Sequence, residues 1–218
     1  MVFGFDMDVQ QIDALHTQLG IGFRRFVNPT RQYLYLATKN NRLLRPVRIY
    51  GLLNDRCNSK CLMCSHWCRE KFVEMSADQW CRILGELRDL IGPYHINFSG
   101  GEPFLRKDIF DIFRFCRDRG ILVGVCTNGS VINEKNAHQL CDLRLFNYNT
   151  SLDGATATTH NYLRGTSRSF DWVFRGIRNV REAGKSVGYT PPIVVKPVVC
   201  KHNLRELPEI VRIAREEG

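Results

Sequence analysis

From Pro46 onward this chain of 218 residues alternates short apolar runs with helical periodicities, and that alternation restricts its fold more than any other feature. Val47 to Leu53 reads as a strand with Val47, Ile49 and Leu53 on one face. Ser76 and Gln79 form a capping box ahead of Trp80, Ile83, Leu84, Leu87 and Ile91, which recur at helical spacing until Gly92-Pro93 stops the helix. His95 to Ser99 reads as a buried strand, and Ile109, Ile112, Phe113 and Cys116 define a helix ending at Gly120. Ile121 to Cys126 is a third strand, a short helix surrounds Ala137, Leu140 and Cys141, and Phe146 to Leu152 is a fourth strand. A helix from near Ser169 carries Phe170, Val173, Phe174 and Ile177 and is expected to end at Gly184. Ile193 to Cys200 reads as a fifth strand despite Pro197, followed by a last helix from about Leu204 to Glu217. Five strand–helix units in strict order imply an α/β fold: a parallel sheet with right-handed crossovers, as an open or closed barrel. The chain stops at Gly218, where a helix would normally feed another strand, so the pattern reads as a barrel truncated after its fifth β/α unit.

Residues 1–45 read differently, as a helical extension ahead of a core at 46–218. Asp8 and Gln11 suggest a capping box, and Val9, Ile12, Leu15 and Leu19 form one apolar stripe. The net charge of +9 concentrates just beyond. Between Ile21 and Tyr50 stand Arg24, Arg25, Arg31, Lys39, Arg42, Arg45 and Arg48 with no acidic residue, interleaved with Phe23, Phe26, Tyr33, Tyr35 and Tyr50. Such a segment could meet nucleic acid, an anionic surface or an acidic partner. The plainer reading is a partly solvated helix whose side-chain stems cover apolar surface, and the lack of any nucleic-acid-binding motif favours it. No apolar stretch is long enough to span a membrane, and the N-terminus lacks a basic start followed by an apolar run.

The chemistry concentrates in Cys57-Asn58-Ser59-Lys60-Cys61-Leu62-Met63-Cys64. Nine cysteines, three of them within eight residues, look like metal ligation in a reducing compartment, which places the protein in the cytoplasm. Thiolates suit iron–sulfur clusters or zinc. Three on one loop can ligate three irons of a four-iron cluster and leave one iron open. With Cys68 the run becomes C-x3-C-x2-C-x3-C, which could instead close a four-cysteine zinc or electron-transfer site. Cys68 reads rather as a spare thiol. Cys81, Cys116, Cys126, Cys141 and Cys200 fall at apolar spacing and read as small buried hydrophobes. His66 is expected to face solvent, and Arg164 to be a solvated loop arginine or an anion-binding group.

The C-x3-C-x2-C spacing resembles the signature of the radical S-adenosylmethionine (SAM) superfamily, and three further motifs occur in the order that family has them. Gly100-Gly101-Glu102-Pro103 follows the second strand, Thr127-Asn128-Gly129 the third and Ser151-Leu152-Asp153-Gly154 the fourth. All sit at C-terminal strand ends, where barrel enzymes build their sites. The resemblance covers roughly residues 46–218 and is nearest to the branch holding molybdenum-cofactor biosynthesis protein A and the SPASM-domain maturases. It implies a partial (β/α)6-type radical SAM barrel in which Cys57, Cys61 and Cys64 ligate a [4Fe-4S] cluster and the amino and carboxylate groups of SAM chelate the unique iron. It puts Met63 near the adenine, where many relatives have an aromatic residue. Gly100, Gly101 and Glu102 would meet the methionine amino group, and Ser151 the methionine part or the ribose. Thr127, Asn128 and Lys196 would face the same cavity. The activity implied is reductive cleavage of SAM to a 5′-deoxyadenosyl radical that abstracts hydrogen from a peptide or small molecule. A flavodoxin- or ferredoxin-like low-potential donor would supply the electron. The competing reading is a non-catalytic metal-binding module whose basic extension binds RNA or protein.

Overall fold

The computed structural model describes residues 36–38, 46, 48–68, 70 and 73–217. The capping box at Asp8 and Gln11, most of the basic aromatic segment, and Val47 lie outside them. Five strands form one parallel sheet in chain order: β1 (Arg48–Leu52), β2 (His95–Ser99), β3 (Leu122–Thr127), β4 (Asn147–Thr150) and β5 (Ile193–Val195). Sequential parallel order is what a barrel wall requires, because each helix carries the chain back to start the adjacent strand.

Helix α1 (Ala77–Ile91) starts where expected: the Gln79 amide donates to Ser76 Oγ at 3.2 Å while the Ser76 amide donates to Gln79 Oε1 at 2.8 Å. It ends at Gly92, whose φ of 74° suits a residue without Cβ. Helices α2 (Ile109–Asp118), α3 (Glu134–Asp142) and α5 (Ser169–Val187) follow β2, β3 and β4. Strand alternation sends Ile96, Phe98, Val123, Val125 and Tyr148 toward this helical layer, where all five are buried. Phe98 stacks on Phe113 of α2 at 5.6 Å between centroids and meets Trp80 of α1 edge-on at 5.9 Å. Ile132, Ile177 and Val180 extend the same core beneath α3 and α5. The opposite face of the sheet carries polar groups. Asn149 Nδ2 donates to Asn97 Oδ1 at 3.1 Å, Asn147 Oδ1 at 2.8 Å and the Val125 carbonyl at 2.8 Å, so a layer of amides bridges β2 to β4.

Three elements differ from what the sequence predicts. Helix α5 passes through Gly184 and ends at Gly188, which has a φ of 75°. Gly184 is there for space, since a Cβ on it would collide with Thr190 Oγ1 of the returning chain. Strand β5 stops at Val195, because Pro197 has no N–H to continue the ladder. Between β4 and α5 lies a helix the periodicity did not reveal, α4 (Ala157–Arg164), capped by Thr156 Oγ1, which accepts from the Thr159 amide at 3.3 Å. The final helix, α6 (Leu207–Glu217), follows a single 3₁₀ turn at Leu204–Glu206.

Candidate active site

Residues 53–68 between β1 and α1 form no strand or helix beyond turns, so their position is set by what grips them. Three anchors do so. The first is the end of β2, where the Gly101 amide donates to the Asn54 carbonyl at 2.8 Å and the Glu102 amide to the Arg56 carbonyl at 2.7 Å. A Cβ on Gly100 or Gly101 would collide with those same two carbonyl oxygens, and Gly100 has a φ of 131°. The glycine pair is therefore the condition for this backbone contact.

The second anchor follows β3. Asn128 Nδ2 donates to Asn58 Oδ1 at 2.8 Å and to Ser59 Oγ at 3.2 Å, and Asn58 Nδ2 donates to Ser130 Oγ at 2.9 Å. The third is the end of α4, which lies against the loop residue by residue. The Leu62 amide donates to the Leu163 carbonyl at 2.9 Å, Arg164 Nη1 donates to Cys61 Sγ at 3.8 Å, and Gly165, at a φ of 63°, abuts the Lys60 carbonyl.

Held this way, Cys57, Cys61 and Cys64 line one cavity of about 290 Å³ at the C-terminal edge of the sheet. Met63, Gly100, Gly101, Thr127, Asn128, Ser151 and Lys196 line it too, so ten residues from four separate motifs and the position just after β5 meet at one place. Glu102, which the resemblance places with Gly100 and Gly101 at the methionine amino group, instead stands behind the wall, because protein donors turn its carboxylate away from the cavity. Its carboxylate, 1% exposed, accepts from Thr127 Oγ1 at 2.7 Å, the Asn128 amide at 2.8 Å and the Phe104 amide at 3.3 Å. Burial raises its pKa to about 7 against the pull of these donors.

Three further residues are placed otherwise than the sequence suggested. Arg164 is no solvated loop residue: its Nε lies 2.6 Å from Asp153 Oδ2, and Asp153 is fully buried. His66 lines the cavity with Nδ1 3.3 Å from Asp55 Oδ1. Cys126 points into the cavity instead of the core, with Lys196 Nζ 3.6 Å from its sulfur. It alternates with Val125 along β3, so its side was readable once the strand's core face was known. Cys116 and Cys141 are buried as expected, Cys81 and Cys200 only partly, and Cys68 is exposed outside the cavity.

The donor set suits a cluster. Among the described residues no three His, Cys, Asp or Glu side chains are grouped tightly enough to hold a single metal ion. The three thiols surround a space, and all nine cysteines are free. Burial pushes the Cys57 and Cys61 thiols up, with Arg164 opposing the effect at Cys61. Bound iron would supply the charge that keeps them as thiolates.

Residues 52–214 match the family model described as the radical SAM superfamily. The chain is 31% identical over 177 residues to Fe-coproporphyrin III synthase of Methanosarcina barkeri, covering 79% of this chain and 42% of that protein. It is 29% identical over 171 residues to PqqA peptide cyclase of Rhodopseudomonas palustris, covering 78% and 44%. It spans under half the length of these relatives. Among solved structures it resembles Streptococcus suis SuiB bound to S-adenosylmethionine, with a TM-score of 0.65, 22% identity, and coverage of 79% of this chain and 38% of that one.

Proposed function

Because the chain belongs to the radical SAM superfamily, whose members bind a [4Fe-4S] cluster and S-adenosylmethionine, we propose that residues 46–218 are a radical SAM core that holds the cluster on Cys57, Cys61 and Cys64. The iron without a protein ligand would be the one open to SAM. When bound, the cluster and SAM would together supply reductive cleavage of the sulfonium as the source of radical hydrogen abstraction from substrate. The observation that carries this reading is the convergence of three thiols from one loop with Gly100, Gly101, Asn128 and Ser151 from three strand ends on a single cavity.

Each part of the wall has its own task. Gly100 and Gly101 let the backbone come close to the methionine end of SAM. Ser151 offers a hydroxyl for the methionine part or the ribose, and Met63 a flexible apolar contact for the adenine. Thr127 and Asn128 are held in place by the Glu102 carboxylate, so that Glu102 orients two residues of the wall from behind it. Helix α4 and the segment after β5 close the cavity from the side. They limit access of water and stray hydrogen donors to the substrate C–H bond.

The substrate we propose is a peptide or a small cofactor precursor, supported by relatives named for a peptide cyclase and a coproporphyrin synthase. Its electron would come from a low-potential flavodoxin- or ferredoxin-like protein. Among the described residues no helix is long and apolar enough to cross a membrane; the site of action we propose is a reducing cytoplasm, where thiols stay available to a cluster.

Anaerobic reconstitution with iron and sulfide, reduction by dithionite and addition of SAM test the proposal. The wild-type chain is expected to bind four irons and release 5′-deoxyadenosine, measured by mass spectrometry, even without substrate. Cys61→Ala is expected to lose both. Full SAM cleavage by Cys61→Ala, or a loaded wild-type chain that leaves SAM intact, overturns it.

A further inference from the structure

The C-terminus of α4 lies along the cysteine loop in antiparallel correspondence. Leu163 meets Leu62, Arg164 meets Cys61 and Gly165 meets Lys60. Only the middle contact is made by a side chain, and it is a cation on a sulfur. The flanking contacts are backbone, so the helix end is already fixed before the guanidinium is placed.

Arg164 is held from behind as well. Its Nε faces Asp153 Oδ2 at 2.6 Å, and Asp153 Oδ1 accepts from the Val198 amide at 2.8 Å. The Asp153 carbonyl accepts from Asn203 Nδ2 at 2.7 Å, and its amide donates to His160 Nδ1 at 3.0 Å. Three contacts from α4 and the segment after β5, one on the carboxylate and two on its backbone, thus hold the residue that orients the guanidinium. A planar fork can serve an acid with one nitrogen and a sulfur with another, which an ammonium cannot do. The sulfur of Cys64, by contrast, accepts from a backbone donor, the His66 amide at 3.5 Å.

We propose that Arg164, held by Asp153, sets the reduction potential of the cluster by donating a guanidinium N–H to the sulfur of its ligand Cys61. The inference rests on the reading of Cys61 as a cluster ligand. Adding an electron increases negative charge on the cluster and its thiolates, so a donor aimed at a ligand sulfur stabilises the reduced form more than the oxidised one and raises the potential. Asp153 neutralises the net charge of Arg164, so the effect is carried mainly by the directed N–H···S bond. Arg164 is a positioning residue in this scheme: it acts through Cys61 and need not touch SAM.

Potentiometric titration of the reconstituted chain, followed by the electron paramagnetic resonance of the reduced cluster, tests it. Arg164→Leu is expected to lower the equilibrium constant for one-electron reduction about tenfold, which is a potential about 59 mV more negative. Arg164→Lys is expected to recover only part of this, since a lysine that reaches the sulfur must leave Asp153. Wild-type chain carrying arginine labelled with ¹⁵N in the guanidinium is expected to show a ¹⁵N hyperfine coupling to the reduced cluster that Arg164→Lys lacks. That measurement decides the matter if Arg164→Leu does not retain a cluster. A potential in loaded Arg164→Leu equal to wild type, with or without weaker SAM binding, overturns the inference, as does absence of the ¹⁵N coupling. Failure of the wild-type chain to assemble any four-iron cluster instead removes the underlying ligand assignment, and this inference with it.

Discussion

Replacing Glu102 by Gln is expected to change how the stability of the iron-free protein depends on pH. The Glu102 carboxylate is buried beneath the cavity wall, and its pKa rises from an ordinary 4.5 to about 7 because burial outweighs the donors Thr127, Asn128 and Phe104. A carboxyl that binds its proton more tightly when folded stabilises the native state fully below the unfolded pKa, and loses that contribution as pH rises through the folded one. A gap of roughly 2.5 pH units at about 1.36 kcal/mol each gives a loss on the order of 3 kcal/mol between about pH 4.5 and 7. His160 slopes the other way. Burial holds its pKa down at about 3, so its contribution is present above the unfolded value of about 6.5 and is lost as pH falls toward the folded one. The wild-type curve therefore sums opposing slopes, and the quantity to measure is the difference from Glu102→Gln. Gln cannot ionise, and setting its NH₂ against the Asn128 amide costs about 1–3 kcal/mol at every pH. Urea denaturation of both proteins from pH 4.5 to 8 is the assay. The wild-type advantage is expected to be largest at the acid end and to shrink by on the order of 3 kcal/mol toward pH 8. Parallel curves across that range would refute the account of a carboxyl held protonated by burial.

Other perturbations address the loop anchors. Gly165→Ala forces a side chain into left-handed backbone and against the Lys60 carbonyl, which is expected to cost about 1–3 kcal/mol in denaturation and to lower iron retained after gel filtration. Asn128→Ala removes the donor to Asn58 and Ser59; about 1–3 kcal/mol of stability and a fraction of bound iron are expected to go, read by the same two assays. Cys68→Ala is expected to leave four irons per chain and SAM cleavage unchanged by iron assay and mass spectrometry, since that thiol is exposed outside the cavity; loss of cluster would favour a closed four-cysteine centre.

Much of this was legible in the sequence wherever a local rule decided the structure. The Ser76–Gln79 box starts α1, and the apolar runs around Ile96, Val123 and Tyr148 make the central strands. Local rules failed where a distant residue decides. Gly184 and Gly188 look equivalent as stops, and only Thr190 folding back onto Gly184 separates their roles. Helix α4 is rich in threonine, with only His160 and Leu163 buried, so it offers almost no apolar stripe to read. At the site, four motifs gave the lining residues because strand ends must meet at one edge of a parallel sheet. Arg164 and His66 were misjudged because their partners Asp153 and Asp55 are set by tertiary placement. Glu102 is readable as a motif residue, but its orientation depends on the last residue of β3 and the one after it, 25 and 26 positions away.

The three grips on the cysteine loop also impose an order of events during synthesis. Asn54 finds Glu102 after 48 further residues, Asn58 is met by Asn128 after 70, and Cys61 is covered by Arg164 only after 103. At a ribosomal pace of about 5–20 residues per second, the three thiols emerge and wait on the order of 5–20 seconds before their last clamp exists. On the cluster reading proposed above, a pocket with all three clamps exists only once the chain has been made as far as Arg164, so iron and sulfide arriving earlier would meet a loop held by fewer of them.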